Sequence, residues 1–264
     1  MVANGNVKTH LQSGSKTPGL LDKSRPATIT AGSLQYEGHA ARAMYIGTAQ
    51  LVQGDTAIRG NTITIDQEKG NLSAVGSARS TLAFGDTPSV GRAEEITYDN
   101  ATRQVAFVGM KRPPPALMTQ AAPAPAKPSH TPATPAAPIA PNALSSAHLS
   151  GPEGDLQADR IIVILHKSEN RLERLEGHEN VTLRVDQRLV TGAQMTYHSN
   201  GRYEMSGTTG VPVKITEACR ETTGRTLTFF KSTDNIIIDG NEEIRTRTTS
   251  GGPCPQVHEE GARR

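Results

Sequence analysis

Histidines, cysteines and paired carboxylates are the residues of this sequence that could carry out acid–base or metal chemistry. The eight histidines are scattered, and none is grouped with other histidines, cysteines or aspartates in the pattern by which neighbouring ligands share a metal ion. The acidic pairs Glu94-Glu95 and Glu242-Glu243 are adjacent in sequence, whereas general acid–base catalysis needs carboxylates that converge in a pocket. Solvated strand edges explain these pairs more simply. We therefore predict no enzymatic activity, no metal site and no cofactor.

Cys219 and Cys254 leave two interpretations open. In an oxidising compartment they could form one disulfide that closes a loop of 35 residues, which would stabilise the fold by roughly 3–4 kcal/mol. They could equally remain two free thiols. The sequence favours neither interpretation.

The elements that carry these residues are predicted from an apolar repeat. Six times a small residue is followed three positions later by an apolar residue and two positions later by another, and uninterrupted copies recur every 29 to 34 residues. Because the apolar spacing is two, the repeating unit is a pair of strands. Each copy leads to a glycine that we predict in a turn. The copies are Ala31-Leu34-Tyr36, Gly60-Ile63-Ile65, Ala93-Ile96-Tyr98, Ala158-Ile161-Val163, Gly192-Met195-Tyr197 and Gly224-Leu227-Phe229, and the glycines are Gly47, Gly76, Gly109, Gly177, Gly207 and Gly240.

Composition limits the class of protein. Apolar residues make up 35% of the 264 residues, there is no tryptophan, and only four phenylalanines and five tyrosines are present. A thick enzyme core is therefore not expected, whereas a thin β structure that buries one face per repeat needs less apolar mass. The net charge of +2 gives no strong field that would attract nucleic acid. No apolar run is long enough to cross a bilayer.

The chain divides into four segments. Residues 1–111 and 151–250 contain the repeats and are predicted as two β blocks, the first with a long hairpin loop between Val7 and Ala27. Residues 112–150 are dominated by proline and alanine, which predicts a disordered or semi-rigid linker. Residues 251–264 are predicted as a flexible tail. The N-terminus carries no export-signal pattern and begins like the end of a repeat, so we expect the natural chain to begin upstream.

One face of the predicted strands is apolar, and two facing sheets of this kind would enclose an apolar interior. This interior either packs on itself or receives a ligand, and the pattern alone favours self-packing. The candidate groove residues are Leu34, Tyr36, Tyr45, Ile63, Ile65, Leu72, Ile96, Tyr98, Val105, Phe107, Ile161, Val163, Met195, Tyr197, Tyr203, Met205, Leu227, Phe229, Ile236 and Ile238.

Several stretches resemble the bacterial OstA-like family, which includes the lipopolysaccharide-transport proteins LptA and LptC. The similarity covers roughly residues 27–110 and 156–248. It rests on the Tyr-x-Gly-x-Ala-x-Leu-x-Gln-Gly-Asp stretch at Tyr45–Asp55, on Ala-x-x-Ile-Thr-Tyr-Asp at Ala93–Asp99, and on Gly-Asn turns at Gly5, Gly70 and Gly240. The resemblance implies an all-β fold, a β-jellyroll made of a V-shaped pair of antiparallel sheets.

The resemblance also implies a function. Acyl chains of lipopolysaccharide would lie in the groove while the chain helps to carry the lipid across the periplasm from the inner to the outer membrane. Partners would be other β-jellyroll components, the inner-membrane transporter complex and the outer-membrane translocon, joined by edge-strand addition near Val7 and Ile244. Basic residues near strand ends could contact lipid phosphates, although ordinary surface positions are simpler for them: Arg42, Arg59, Arg79, Arg92, Arg160, Arg184 and Arg188.

Two alternatives to lipid transport remain. A structural β-solenoid would have a closed interior and no cargo. A carbohydrate-active enzyme or lectin on a β scaffold would need converging carboxylates or an aromatic sugar platform, and the absence of tryptophan argues against both.

Overall fold

The computed structural model describes residues 1–12, 18–85, 87–110, 146–217, 220–241 and 244–250. Within these ranges the chain forms β-strands and no helix, so none of its described elements is a helix that could span a bilayer. The all-β prediction is confirmed. The strands are β1 Val2–Leu11, β2 Ala27–Glu37, β3 Arg42–Gln53, β4 Thr56–Asp66, β5 Asn71–Ala83, β6 Pro88–Asp99, β7 Gln104–Val108, β8 Ala147–Gly151, β9 Gly154–Ala158, β10 Arg160–Leu165, β11 Leu172–Val185, β12 Arg188–His198, β13 Arg202–Ser206, β14 Val213–Glu217, β15 Arg220–Gly224, β16 Thr226–Phe230, β17 Asn235–Asp239 and β18 Arg247–Ser250.

All the strands belong to one antiparallel ladder that divides and rejoins. Strands β1 to β6 pair in sequence order. Strand β6 then pairs with β7 through residues 95–99 and with β8 through residues 90–92. The two branches meet again at β11, which pairs with both β10 and β9. They separate once more at β12, which pairs with β13 and β14.

Each long strand bends midway, at what we term a corner. In β1, β3, β5 and β11 the corner is a pair of residues with positive φ, namely Gly5-Asn6, Gly47-Thr48, Gly76-Ser77 and Glu179-Asn180. The pairing register shifts by one residue at each of these bulges, which bend the strand and increase its twist. Gly5, Gly47 and Gly76 therefore lie inside strands, as does Gly177, and the prediction of these four glycines in turns was wrong.

The sequence repeat marks the other half of each corner. The partner strands β2, β4, β6 and β12 pass the corner without a bulge, between a small residue and an apolar residue three positions later. Both residues face inward, for example Ala93 and Ile96 in β6. The small residue is needed because the neighbouring backbone is close: a Cβ on Gly60 would lie 3.0 Å from the carbonyl oxygen of Val75.

The corners divide the ladder into two facing sheets, the predicted V-shaped β-jellyroll. Sheet I contains residues 2–4, 33–37, 42–46, 62–66, 71–75, 95–99, 104–108, 160–165, 172–178, 194–198, 202–206, 226–230 and 235–239. Sheet II contains residues 7–11, 27–30, 49–53, 56–59, 78–83, 88–92, 147–151, 154–158, 181–185, 188–191, 213–217, 220–224 and 247–250. We use the term mouth for the open side opposite the corners, where the hairpin turns of both sheets lie.

The proline- and alanine-rich segment is inserted at one corner. Strand β7 lies in sheet I before the insertion and β8 lies in sheet II after it, while β6 pairs with both. Across the insertion, the two predicted blocks are joined directly by the pairing of β7 with β10. The backbone N–H of Gly109 also donates a 2.9 Å hydrogen bond to Asp159.

Two predicted boundaries differ from the structure. Residues 147–150, predicted as the end of the linker, belong to β8, because Ala147 and Leu149 are buried while His148 and Ser150 pair with β6. Strand β1 continues to Leu11 by pairing with β2, although we predicted a loop from Val7. Residues 112–145 of the predicted linker and residues 251–264 of the predicted tail lie outside the described residues.

Candidate functional site

The candidate groove residues form two continuous rows on the inner face of sheet I. The corner row runs next to the bend, and the mouth row runs two residues further from it on every strand. In order across the sheet, the corner row is Leu34, Tyr45, Ile63, Ala74, Ile96, Phe107, Ile161, Gly177, Met195, Met205, Leu227 and Ile238. The mouth row is Tyr36, Ala43, Ile65, Leu72, Tyr98, Val105, Val163, Leu175, Tyr197, Tyr203, Phe229 and Ile236.

Every candidate groove residue lies on one of these two rows. Most of them are buried, while Tyr36, Ile236 and Ile238 are partly buried and pack against the same core. The rows pass without a break from β7 to β10, so the inner face is shared by both predicted blocks. Directly opposed apolar side chains of this kind stabilise a sheet pair by pair.

The inner face of sheet II, which lies opposite these two rows, was not predicted from the sequence. A third row, the facing row, runs across sheet II and consists of Ile29, Leu51, Ile58, Ser80, Gly91, Leu149, Leu156, Leu183, Val190 and Ile215. Counting back in twos from Ile63 places Arg59 inside and Ile58 outside. In the structure Ile58 is buried and Arg59 is exposed, because the alternation changes phase at the corner. The small residue three positions before Ile63 is the signal that could have revealed this.

Side chains fill most of the space between the sheets. The largest fully buried ones are Tyr45, Tyr98, Tyr203 and Phe107. One gap, of about 10 Å³, lies between Leu183 and Val190 of sheet II and Met205 and Phe229 of sheet I. A second gap, beside Leu149, Val163 and Leu175, measures about 20 Å³. Each is close to the space that a single water molecule needs, so an acyl chain could enter only if the two sheets moved apart.

Residues 18–25, which we term the strap, cross the mouth between the end of β3 in sheet II and the turns that follow β6 and β10 in sheet I. At one end, the side chain of Gln53 at the tip of sheet II accepts a 2.7 Å hydrogen bond from the N–H of Asp22 and donates to the carbonyl oxygens of Asp22 and Arg25. At the other end, Arg103 donates to the carbonyl oxygen of Gly19 at 2.9 Å. Asn170 donates to that of Leu20, also at 2.9 Å. Arg103 and Asn170 lie in turns of sheet I, so the strap ties the two sheets together.

A second bridge is formed by the turn between β8 and β9. The hydroxyl of Tyr203 donates a 2.6 Å hydrogen bond to the carbonyl oxygen of Glu153, and the ammonium group of Lys231 donates to that of Pro152 at 2.9 Å. Burial, together with the negative charge of Glu153, raises the pKa of Tyr203 well above its ordinary value. The pKa of Tyr197 is raised by the same causes. Both phenols therefore stay protonated and act as hydrogen-bond donors at the mouth.

Arg188 makes the third bridge. Its guanidinium, at the start of β12 in sheet II, lies 2.6 Å from the carboxylate of Asp234 in a turn of sheet I and 2.9 Å from that of Glu217. It also lies over the ring of Phe229, 5.1 Å from the centroid. The hydrogen bond from Arg188 lowers the pKa of Asp234. Arg188 is thus occupied by protein carboxylates, whereas the other six candidate arginines are exposed on the outer faces.

An open cleft of about 710 Å³ lies between the strap and the second bridge. Leu20 of the strap and Glu153 of the bridge line its two sides, and Leu172, Phe84 and Tyr197 supply apolar surface. Tyr197 belongs to the mouth row, so this cleft leads from solvent to the edge of the apolar interior.

In the described part of the chain, no three His, Cys, Asp or Glu side chains are grouped so that they could hold a metal ion. Cys219 and Cys254 both lie outside the described residues, so their pairing stays a prediction.

Comparison with known proteins finds a matching family model and similar solved structures. Residues 28–112 match the family model described as LptA/(LptD N-terminal domain) LPS transport protein, which confirms the predicted resemblance. A solved structure with similarity to this chain is LptH of Pseudomonas aeruginosa, described as the LptA homologous periplasmic component of the conserved lipopolysaccharide transport device. It is 13% identical, with a TM-score of 0.42, and the similarity covers 61% of this chain and 96% of that one. No curated protein gives a significant match.

Proposed function

We propose that this protein is a periplasmic lipopolysaccharide-transport component that holds acyl chains between its two sheets and performs no catalysis. The observation that carries this proposal is the pair of apolar rows, which extend without interruption from β2 to β17. A lining of Ile, Val, Leu, Met and Tyr without a polar pocket offers similar contacts at every step, so a bound chain could move along it. The family-model match at residues 28–112 supports the same role.

The energetics are compatible with reversible binding. Each methylene transferred from water into the interior contributes about 0.8 kcal/mol, so a few inserted methylenes gain several kcal/mol. Separation of the two sheets opposes this gain. It would break the hydrogen bonds and ion pairs of the three bridges across the mouth, which are the strap, the turn between β8 and β9, and Arg188. At about 1 kcal/mol for a typical neutral hydrogen bond, this cost is of the same order as the gain. A carrier needs such a balance, because a much deeper site would retain its cargo.

Partner binding is proposed at the ends of the ladder. In the described residues β1 pairs only with β2, β17 only with β16 and β18 only with β15, so each has an unpaired edge. Such edges accept a strand from another protein through backbone hydrogen bonds. The partners proposed are other β-jellyroll components, the inner-membrane transporter complex and the outer-membrane translocon. Ile244 itself lies in the connection between β17 and β18, so the second docking edge is formed by those strands.

Photo-crosslinking tests the proposal. A photoreactive residue at Ile65 or Phe107 should form an adduct with lipopolysaccharide in cells, because both side chains face the interior. The matched control is Thr97, whose side chain points out from sheet I beside Ile96 and should give no adduct. Adducts at the control position alone, or at none of the three, would contradict the proposal.

One observation favours a second candidate function, a structural β-solenoid without cargo. The gaps of about 10 and 20 Å³ between the sheets are far too small for an acyl chain. A protein of this kind would keep its mouth closed and yield no lipid adduct at Ile65 or Phe107, so the same experiment separates the two candidates.

A further inference from the structure

The strap places two leucines where the interior would otherwise be open. Leu20 and Leu21 are 6% and 2% exposed and belong to the hydrophobic core, although the next four residues of the strap, from Asp22 to Arg25, are exposed. These leucines do not belong to any strand of the ladder. Their side chains enter the core from the mouth, which is the direction from which a lipid would have to enter.

The hydrogen bonds that hold the strap involve its backbone. Gln53, Arg103 and Asn170 all bind carbonyl oxygens or an N–H of the strap, and Gln53 is itself only 6% exposed. When the strap leaves, its backbone groups can exchange these bonds for bonds to water, so release costs the apolar contacts and only the modest net contribution of each hydrogen bond. Release also exposes the two leucine side chains, and an acyl segment of a few methylenes would replace their apolar contacts.

From this arrangement we propose that the seat of Leu20 and Leu21 is an acyl-chain subsite, which the strap occupies until a lipid chain displaces it. The inference rests on the proposed function. It adds the place where an acyl chain binds and the competition between the lipid and the strap for that place. The cleft of about 710 Å³ borders Leu20 and gives an incoming chain access to this seat from the side. While the strap is seated, the part of the groove that Leu20 and Leu21 occupy is closed to lipid. The apparent affinity of this part for an acyl chain is reduced by the fraction of molecules in which the strap is seated.

Gly19 allows the strap to be released without substituting any residue of the two rows. A Cβ at this position would lie 2.3 Å from Oδ1 of Asn100 and 2.9 Å from the hydroxyl of Tyr98, so Gly19→Ala should displace the strap. Gly210→Ala is the matched control, because a Cβ there would have no atom within 4 Å. The double variant Leu20→Ser, Leu21→Ser provides an independent route, since it removes the apolar occupants while the backbone bonds remain.

The experiment uses the full chain, purified lipopolysaccharide as the probe, and a photoreactive residue at one of two reporter positions. Leu172 lines the cleft beside Leu20, whereas Ile238 lies at the far end of the corner row. We expect Gly19→Ala and the double serine variant to increase the adduct at Leu172 at least tenfold at sub-saturating lipid, because a strap-release cost of only about 1.4 kcal/mol already gives a tenfold change. The adduct at Ile238, and both adducts in Gly210→Ala, should match the unsubstituted protein.

The outcomes separate the two levels of the proposal. An unchanged adduct at Leu172 in both strap variants, with normal labelling at Ile238, would overturn the subsite while leaving lipid binding intact. No adduct at either reporter in any variant would overturn the proposed function itself. If Gly19→Ala does not fold, as judged by its circular dichroism, the double serine variant decides alone.

Discussion

The hydroxyl of Tyr203 in sheet I hydrogen-bonds to the carbonyl oxygen of Glu153 in the turn that ends sheet II, at 2.6 Å. This bond spans the mouth of the V, so it helps to hold the two sheets together. Tyr203 is also stacked between Tyr197 and Phe229 on the mouth row, with ring centroids 4.6 and 5.6 Å away. Its hydroxyl therefore bonds to the end of sheet II, while its ring packs against neighbours in sheet I.

Removal of this bond should weaken the fold by a measurable amount. We expect Tyr203→Phe to lower the free energy of unfolding in urea by about 1 kcal/mol at neutral pH, because one hydrogen bond is lost and the ring is kept. Tyr36→Phe is the control, since the hydroxyl of Tyr36, on the same row, has no partner among the described residues. Equal losses in the two variants would show that the bond does not hold the mouth closed.

The same residue predicts a loss of stability at alkaline pH. The folded state keeps the proton of Tyr203 above the ordinary pKa of about 10, whereas the unfolded chain releases it there. Stability is then complete below about pH 10 and decreases as the pH rises further. We expect the urea midpoint to fall above this pH, and to fall less steeply in Tyr203→Phe. Parallel curves would contradict the prediction.

Ile96 tests which face of β6 is internal. Ile96→Asp places a carboxylate without a partner in the corner row and should cost roughly 3–5 kcal/mol in free energy of unfolding. It should also abolish lipid adducts nearby. Thr97→Asp changes the adjacent, outward-facing position and should cost no more than about 1 kcal/mol. Comparable damage from both substitutions would mean that the two faces had been assigned incorrectly.

Gly91 lies in the facing row because no larger residue fits there. A Cβ on Gly91 would lie 2.1 Å from Cε1 of Phe107 and 2.8 Å from Oγ of Ser80, and Phe107 is fully buried. Gly91→Ala should therefore lower the free energy of unfolding by about 1–3 kcal/mol through overpacking. For comparison, the nearest atom to a Cβ on Gly38 is 3.9 Å away, so Gly38→Ala should have little effect. A larger loss of stability in Gly38→Ala than in Gly91→Ala would contradict the close contact between the two sheets at Phe107.

Three arginines face one another on the outside of sheet II. Arg59 pairs with Arg79, and Arg79 pairs with Arg92, all three exposed. Like charges directly opposite each other destabilise a sheet, so Arg79→Glu should raise the free energy of unfolding by about 0.5 kcal/mol at low salt. Arg42 pairs with Glu37 and Asp66, and Arg42→Glu should have the opposite sign. The two effects should both shrink in high salt.

The inner face of sheet I could be predicted from sequence because its strands keep strict alternation on either side of each turn. Ile63 with Ile65 and Tyr197 with Tyr203 follow from a period of two alone. Ile58 could not be placed in the same way, because the corner changes the phase of the alternation between residues 58 and 63. Recognition of the small residue at Gly60 as a corner would have been needed first.

The strap could not be predicted for a different reason. Leu20 and Leu21 lie in a short segment without any period, flanked by glycine, proline and charged residues. Their burial depends on partners far along the chain: Gln53 is 31 residues from Asp22, and Asn170 is 150 residues from Leu20. Local patterns carry no information about contacts at such separations.

Because β6 is hydrogen-bonded to strands on both sides of the insertion after Gly109, the two ends of that insertion are anchored by the sheet itself. A protease nick between residues 112 and 145 would leave two polypeptides in one folded particle. Foreign sequence, such as an affinity tag or a fluorescent reporter, could be grafted at the same place while these strand pairings are kept. This corner is thus the natural handle by which the molecule could be immobilised while both of its ladder ends stay accessible.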